Sequence, residues 1–318
     1  MSNAFIQLAH RGKSRWWRYL LGSIFAIFFF QIVGGFITAV LLKTYVRLDG
    51  NPASRMLSPE EIGSNGIPIE GVAPALVYIF FNIAFIFFLI GIDLAVKLFH
   101  KRSFLSLITP ANRISWRRIG QGFAVFFVLK VVEILCSYAL DPARFTFSFQ
   151  PLAFLIFLAV VFIFTPIQTA TEELFFRGYL LQGIGSRFGK WAGVAVTSIL
   201  FCLVHLLNAE VQTQESWQSL TSIVLYFLMI GAFLGWLTVK DKSLELAIGA
   251  HAASNIVTFL MVTSPNSAVP SPALFSMDKV EGSFGLLLIT AFLLLTFAFV
   301  VFRLLKKPES ISVQADTI

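Results

Sequence analysis

Long apolar runs alternate with short polar connections along most of the 318-residue chain. About 20 consecutive apolar residues are needed for an α-helix to cross the hydrocarbon core of a bilayer. Eight runs come close to or exceed that length, at about 19–42, 74–98, 119–140, 151–182, 191–208, 218–239, 243–263 and 284–305. The pattern therefore predicts an all-α, polytopic membrane protein of about eight transmembrane helices.

Composition agrees with a membrane protein. Hydrophobic residues make up 57% of the chain and charged residues 13%, whereas soluble domains average roughly 45–50% and 25%. These values exclude disordered and collagen-like chains, and the two cysteines exclude a disulfide-rich secreted domain. The first apolar run follows a basic start but is longer than the core of a signal peptide, so we expect a retained membrane anchor.

The distribution of lysine and arginine predicts the orientation, because cytoplasmic connections are enriched in both. One side of the predicted bundle holds Arg11, Lys13, Arg15, Arg18, Lys101, Arg102, Arg113, Arg117, Arg118, Arg187, Lys190, Lys240, Lys242, Arg303, Lys306 and Lys307. The other side holds only Lys43, Arg47, Arg55, Arg144 and Lys279. Both termini are therefore predicted to be cytoplasmic, in the plasma membrane of a bacterium. Because the net charge of +7 is concentrated at helix ends, contact with anionic membrane lipids is expected and a nucleic-acid partner is not.

The same pattern divides the chain into four parts. These are a basic cytoplasmic N-terminus (1–18), three helices with an outer loop and an interfacial segment (19–150), a core (151–263), and a last helix with a cytoplasmic tail (264–318). Residues 100–118 mix apolar and basic side chains, which fits either a segment lying in the membrane interface or a solvated basic loop. In the outer loop, Ser58 and Glu61 predict the capping box of a short helix.

Ionisable residues inside the apolar runs are the candidates for function, because an unpaired charge in the hydrocarbon region is costly. Two pairs neutralise themselves by spacing, Asp93 with Lys97 at i,i+4 and Lys130 with Glu133 at i,i+3. We interpret both pairs as structural.

The fourth run contains two adjacent carboxylates. Glu173 reaches Arg177 at i,i+4, whereas Glu172 lies about 100° away around the helix and has no predicted partner there. Glu173 is therefore expected to hold the helix, and Glu172 to be available for proton transfer or metal binding.

Two histidines lie in other apolar runs. His205 falls late in the fifth run, and His251 shares a helix face with Asn255 in the seventh. Counted along each helix from its basic flank, Glu172, His205 and His251 reach a similar depth near the middle of the membrane. A lone intramembrane histidine is often only an interhelical hydrogen-bonding group, but three polar elements on three helices favour a functional site.

Together these residues form three motifs. They are E-E-x-x-x-R in Glu172, Glu173 and Arg177, F-x-x-x-H in Phe201 and His205, and H-x-x-x-N in His251 and Asn255. Over about residues 155–260 the chain resembles the CAAX-processing and bacteriocin-processing (CPBP, or Abi) intramembrane proteases, and is similar to the type 2 CAAX prenyl endopeptidases.

This resemblance implies roles for the motif residues. Glu172 and His205 would activate a water molecule, while His251 and Asn255 would stabilise the oxyanion. Glu173, Arg177 and Phe201 would be supporting residues. Family members have been described both as zinc proteases and as metal-free glutamate proteases. One interpretation is a zinc ion held by Glu172, His205 and His251. Because Asn255 is a poor zinc ligand, we instead expect that no cofactor is required.

The leading functional prediction is an endopeptidase that cleaves a peptide or protein substrate in or at the membrane, a CAAX-type or lipidated protein being one candidate. Because a helix hides its scissile carbonyl groups, the substrate must be extended in a cavity, expected to open to the cytoplasmic leaflet or sideways to lipid. One alternative is a proton-coupled transporter, in which Glu172, His205 and His251 would form a proton relay. Another is a non-proteolytic scaffold or immunity protein, which would tolerate the loss of Glu172. The sequence leaves the oligomeric state open, because Gly231 and Gly235 could pack helices within the chain or between chains.

Overall fold

The computed structural model describes residues 3–58, 69–267 and 269–305. This part of the chain contains eight apolar helices: α1 Trp16–Leu48, α2 Pro74–His100, α3 Trp116–Leu140, α4 Pro151–Phe188, α5 Lys190–His205, α6 Trp217–Asp241, α7 Glu245–Met261 and α8 Phe284–Leu304. Six of them are long and apolar enough to span a membrane, and α5 and α7 are shorter. The predicted all-α, polytopic membrane fold is confirmed.

Short elements connect the helices. Helical turns occur at Ala4–Gln7, Leu8–Arg11, Phe104–Leu107, Pro142–Arg144 and Ala209–Gln212. Two small sheets were not predicted, an antiparallel pair of β1 (Arg55–Met56) with β2 (Ile69–Glu70), and a three-stranded sheet of β3 (Thr146–Phe147), β4 (Val262–Thr263) and β5 (Phe275–Ser276). In the second sheet the order is β3-β5-β4, with β3 antiparallel and β4 parallel to β5. The helix predicted to begin at Ser58 and the tail at 306–318 lie outside the described residues.

Helix α7 lies at the centre of the bundle, and most of its residues are buried. It crosses α3 closely, because Gly122 faces the backbone of Leu246 and Gly249 faces the backbone of Ile119, where a β-carbon would collide. Since α7 is surrounded by protein, it needs neither the length nor the lipid-facing surface of an outer helix.

Glycines also bring α5 and α6 together. Gly231 faces the backbone of Ser198, and Gly235 faces the side chain of Val194, both at distances where an added β-carbon would be tightly packed. The G-x-x-x-G pair is therefore used for packing within the chain.

The basic connection at 100–118 packs against the bundle. Two of its arginines, Arg102 and Arg118, are buried, so the prediction of a solvated basic loop is wrong for them. Arg118 Nη2 lies 2.8 Å from Asp241 Oδ1, and both side chains are 1% exposed. Arg102 Nη1 donates to the Leu8 carbonyl and to Gln182 Oε1 at 2.9 and 2.8 Å. These guanidinium groups are buried because each has acceptors inside the protein.

The predicted basic N-terminus is likewise partly packed on the bundle. Phe5 and Leu8 are buried, and Asn3 Nδ2 donates to the Val239 carbonyl at 2.8 Å.

Helix α4 is longer than predicted and contains the first motif. It continues to Phe188 rather than ending near 182, and includes a π-helical segment at Leu174–Leu180. It is separated from α5 by Gly189, whose φ of +92° lies in a region that glycine adopts at no steric cost. The two carboxylates therefore lie immediately before the π-helical segment.

Candidate active site

Three helices bring the predicted motifs together. Glu172 and Glu173 lie on α4, His205 is the last residue of α5, and His251 and Asn255 lie one turn apart on α7. Of these five residues, all but Glu173 line one cavity of about 670 Å³. Glu172, His205 and His251, which we predict to lie at a common depth, thus line the same cavity.

Glu173 forms the buried centre of the site. Its Oε1 atom accepts hydrogen bonds from Arg177 Nη1 at 2.7 Å and from His251 Nδ1 at 2.8 Å. Arg177 Nη2 also donates to the Gly231 carbonyl at 3.1 Å. The predicted Glu173–Arg177 pair is confirmed, but sequence spacing gave no indication of the bond to His251. Because this bond uses Nδ1, it leaves Nε2 as the free ring nitrogen of His251.

Glu172 points into the cavity and is 12% exposed. Its Oε2 atom lies 3.9 Å from His251 Nε2, and its Oε1 accepts from Gln168 Nε2 at 3.3 Å. The prediction that Glu172 has no partner in its own helix is therefore wrong. Gln168 precedes it by four residues, which is a spacing that could have identified the contact.

His205 has a fixed ring orientation. Its Nδ1 atom donates to the Phe201 carbonyl at 2.7 Å, since a carbonyl oxygen can only accept. The ring lies between those of Phe201 and Phe227, with centroid distances of 4.2 and 4.7 Å. In the neutral imidazole the remaining nitrogen, Nε2, is a proton acceptor.

Phe201 packs between the ion pair and the histidines. The Arg177 guanidinium lies 4.4 Å from the centre of its ring, and the His251 ring lies 6.0 Å away on centroids. The side chain is 2% exposed. An aromatic ring at this position separates the buried cation from the cavity and stabilises it through a cation–π contact.

The cavity is within the volume range of ligand-binding pockets in proteins. Most of its wall is apolar. Besides the motif residues and the Lys130–Glu133 pair, the polar residues of the wall are Gln31, Gln168, Asn208, Glu210, Ser222, Tyr226, Ser254, Thr258, Ser267, Glu281 and Ser283. Such a wall suits a mainly apolar, extended segment that is bound by a few polar groups.

The two pairs that we interpreted as structural are both formed. Lys97 Nζ lies 2.7 Å from Asp93 Oδ2, and Lys130 Nζ contacts Glu133 Oε2. The second pair also lines the cavity, and the Thr290 hydroxyl donates to Glu133. The Lys130–Glu133 pair thus belongs to the cavity wall as well as to the packing of α3.

In the described part of the chain, no group of three or more His, Cys, Asp or Glu side chains is placed to hold a metal ion. One nitrogen of each cavity histidine is already used, by Glu173 for His251 and by the Phe201 carbonyl for His205. The zinc site of Glu172, His205 and His251 stays a prediction.

Comparisons with known proteins agree with the motifs. The chain is 34% identical over 203 residues to an uncharacterized protein, YyaK, of Bacillus subtilis (strain 168), and 28% identical over 195 residues to CAAX prenyl protease 2 of Methanococcus maripaludis. These alignments cover 62% and 55% of this chain and 66% and 68% of the two relatives, so the chain spans about two thirds of the length of each. No solved structure matches.

A protein-family profile also matches, described as type II CAAX prenyl endopeptidase Rce1-like, over residues 151–257. This range contains all seven motif residues and agrees with the predicted core at 151–263. The predicted resemblance to a family of CAAX proteases is confirmed, because residues 151–257 match the Rce1-like family model.

Proposed function

We propose that this chain is a multi-pass endopeptidase of a bacterial plasma membrane, which hydrolyses a peptide bond in a membrane-associated protein or peptide. The main support for the proposal is that Glu172, His205 and His251, which lie on three different helices, line one cavity inside the bundle. The Methanococcus relative is named a CAAX prenyl protease, which makes a lipidated C-terminal segment one candidate substrate.

In this proposal Glu172 and His205 activate the water. A water molecule bound between the Glu172 carboxylate and His205 Nε2 gives up a proton as its oxygen attacks the scissile carbonyl. The same proton then passes to the departing amine, so that one peptide bond is replaced by a carboxyl group and an amine. The fixed ring of His205 supports this role, because its Nδ1 donates to Phe201 and leaves Nε2 as the acceptor.

His251 and Asn255 would stabilise the negative oxygen of the tetrahedral intermediate. They lie one helical turn apart on α7, and both face the cavity. The bond from His251 Nδ1 to Glu173 fixes the ring, so that Nε2 is the atom offered to the substrate. This atom can donate to the oxyanion only when the ring carries both protons. Donors that are fixed before the reaction need no reorganisation in the transition state.

We further propose that the reaction requires no metal ion. Asn255 is a better oxyanion donor than zinc ligand. If zinc is present, Glu172, His205 and His251 are the residues that would hold it and polarise a bound water.

The test is peptide cleavage by purified, detergent-solubilised protein against a library of lipidated C-terminal peptides, with and without a chelator. Wild type is compared with Glu172→Gln and with Asp93→Asn, a carboxylate-to-amide change in an ion pair outside the cavity. We expect cleavage by wild type and Asp93→Asn, no cleavage by Glu172→Gln, and no effect of the chelator.

Other outcomes would contradict separate parts of the proposal. Cleavage that is lost with chelator and restored by zinc would make His205 and His251 metal ligands. Full activity of Glu172→Gln would remove the proposed base. Absence of cleavage by folded wild type across lipidated and unmodified peptides would favour the scaffold function.

A further inference from the structure

The cavity extends from the motif residues toward only one end of the bundle. Its wall includes Asn208 and Glu210 beyond the end of α5, Val262 at the end of α7, and Glu281 and Ser283 before α8. His205 is the last residue of α5, and His251 is about 15 Å along the helix axis from the last residue of α7. The site therefore opens toward the connections at 206–216 and 262–283.

The opposite end of the bundle is filled by protein. Four groups of contacts close it: the Arg118–Asp241 ion pair, the bonds from Arg102 to Leu8 and Gln182, the bond between His100 and Tyr179, and the buried side chains of Phe5 and Leu8. Within the described residues, no side chain of the connections 101–115 or 241–244, nor Gly189, lines the cavity. Access from this end would require several buried polar bonds to break.

The closed end is also the basic end. Fourteen lysines and arginines of the described residues flank the helices on that side, against five on the side where the cavity opens. The bias in lysine and arginine sets membrane orientation, with the richer side in the cytoplasm. By this bias the cavity opens away from the cytoplasm, which favours the second of the two predicted openings, sideways to lipid, over an opening to the cytoplasmic leaflet.

We propose that the site works from the extracytoplasmic side. Its substrate class is then a membrane-associated protein segment presented from the outer leaflet, rather than the cytoplasmic C-terminus of a CAAX protein. This inference rests on the proposed endopeptidase function and narrows its substrate.

Surface exposure of the cavity wall supports a substrate that approaches along the membrane. Val204 on α5 and Leu207 beyond α5 line the cavity and are 49% and 81% exposed. The wall therefore reaches the lipid-facing surface of the bundle at these residues. A segment anchored in the outer leaflet can enter there without first crossing the membrane.

The first experiment measures orientation without using activity. In a background with Cys136→Ser and Cys202→Ser, single cysteines are placed at two exposed polar residues, Glu215→Cys in the connection at the cavity end and Arg187→Cys at the basic end. Intact cells are treated with a membrane-impermeant maleimide. We expect labelling of Glu215→Cys in intact cells, and labelling of Arg187→Cys only after permeabilisation. Failure to label Glu215→Cys before permeabilisation, or labelling of Arg187→Cys in intact cells, overturns the proposal.

The second experiment measures the side of cleavage. A library of N-palmitoylated peptides with charged, membrane-impermeant C-termini is added in parallel to right-side-out and to inside-out membrane vesicles. We expect cleavage by right-side-out vesicles, loss of cleavage in inside-out vesicles, and its recovery when detergent opens them. Cleavage by inside-out vesicles alone overturns the proposal. If the library is not cleaved even in detergent, the proposed endopeptidase fails, whereas the labelling experiment still decides the orientation.

Discussion

The two ends of this bundle use the same kinds of buried polar residues for different purposes. At the basic end, Arg118 and Asp241 form an ion pair in which each side chain is 1% exposed and surrounded by protein. At the cavity end, the Glu173–Arg177 pair is equally buried, but its carboxylate also holds His251 beside Glu172 at the edge of open space.

This difference shows what separates a structural charge from a functional one. Burial and ion pairing are shared by both ends, so neither identifies the site. The distinguishing property is a polar atom that the protein holds in place and leaves facing a cavity, as with Glu172 and the Nε2 atom of His251. If this distinction holds, substitution of a cavity-facing atom should mainly lower kcat, and substitution within an enclosed ion pair should mainly lower the free energy of unfolding.

The strongest test is Glu172→Gln. Removing the general base should lower kcat by about 10⁴-fold, at the upper end of what acid–base catalysis contributes. Folding should be unaffected, because glutamine keeps the contact with Gln168 and the residue has no strong ion pair of its own. Turnover and thermal unfolding of the same preparation are the measurements, and a lower melting temperature would mean that Glu172 is structural.

Glu173→Gln should have the opposite result. It leaves the Arg177 guanidinium without its anion in a buried site, and breaking such a pair costs roughly 3–5 kcal/mol of stability. A glutamine oxygen can still accept from His251 Nδ1, so the folded fraction should keep most of its kcat. Yield of folded protein and kcat per folded molecule are measured together. Loss of chemistry with normal stability would reverse our assignment of the two carboxylates.

Arg118→Met tests the closed end in the same way. A loss of roughly 3–5 kcal/mol is expected, because the buried Asp241 carboxylate loses the guanidinium that neutralises it. The double variant Arg118→Met/Asp241→Leu should recover much of that loss, since it removes both charges. Denaturation curves provide the comparison, and kcat per folded molecule should stay unchanged in both variants. A selective fall in kcat would show that the two ends are coupled.

Asn255→Ala removes a proposed oxyanion donor. The expected loss in kcat is roughly 10²–10³-fold, the range for one such donor. KM should change little, because the interaction is made mainly in the transition state. Steady-state kinetics on a cleaved peptide separate the two parameters. A rise in KM with unchanged kcat would instead make Asn255 a substrate-binding residue.

Asp93→Asn should have the smallest effect. The Asp93–Lys97 pair is half-exposed, with side-chain exposures of 30% and 58%. Exposed ion pairs of this spacing contribute about 0.3–0.5 kcal/mol, so unfolding should shift by less than 1 kcal/mol. The same denaturation assay measures it, with Arg118→Met as the reference. A shift as large as that of Arg118→Met would show that exposure does not distinguish the pairs.

The helices and the motif residues could be predicted because their signals are local. Each apolar run is read from its own composition, and the Glu173–Arg177 and Lys130–Glu133 pairs follow from spacing along one helix. Depth along each helix also placed Glu172, His205 and His251 at one level. Only a rise per residue and a starting point at the membrane surface were needed.

The remaining features depend on contacts between distant parts of the chain. The bond from Glu173 to His251 joins residues 78 positions apart, and no periodicity within α4 or α7 indicates it. Likewise, basic character placed Arg102 and Arg118 near the membrane surface, but their acceptors come from other segments. The three-stranded sheet was missed because two-residue strands carry almost no sequence pattern.

The π-helical segment at Leu174–Leu180 sets the rotational phase between the two halves of α4. Such a segment contains one residue more than an α-helical stretch of the same turns. Before it, Glu172 faces the cavity, and after it, Gln182 accepts from Arg102 and donates to the Ser106 carbonyl. Deleting one residue here would turn Gln182 by about 100° relative to Glu172. The number of residues in this segment therefore constrains which insertions and deletions α4 can tolerate.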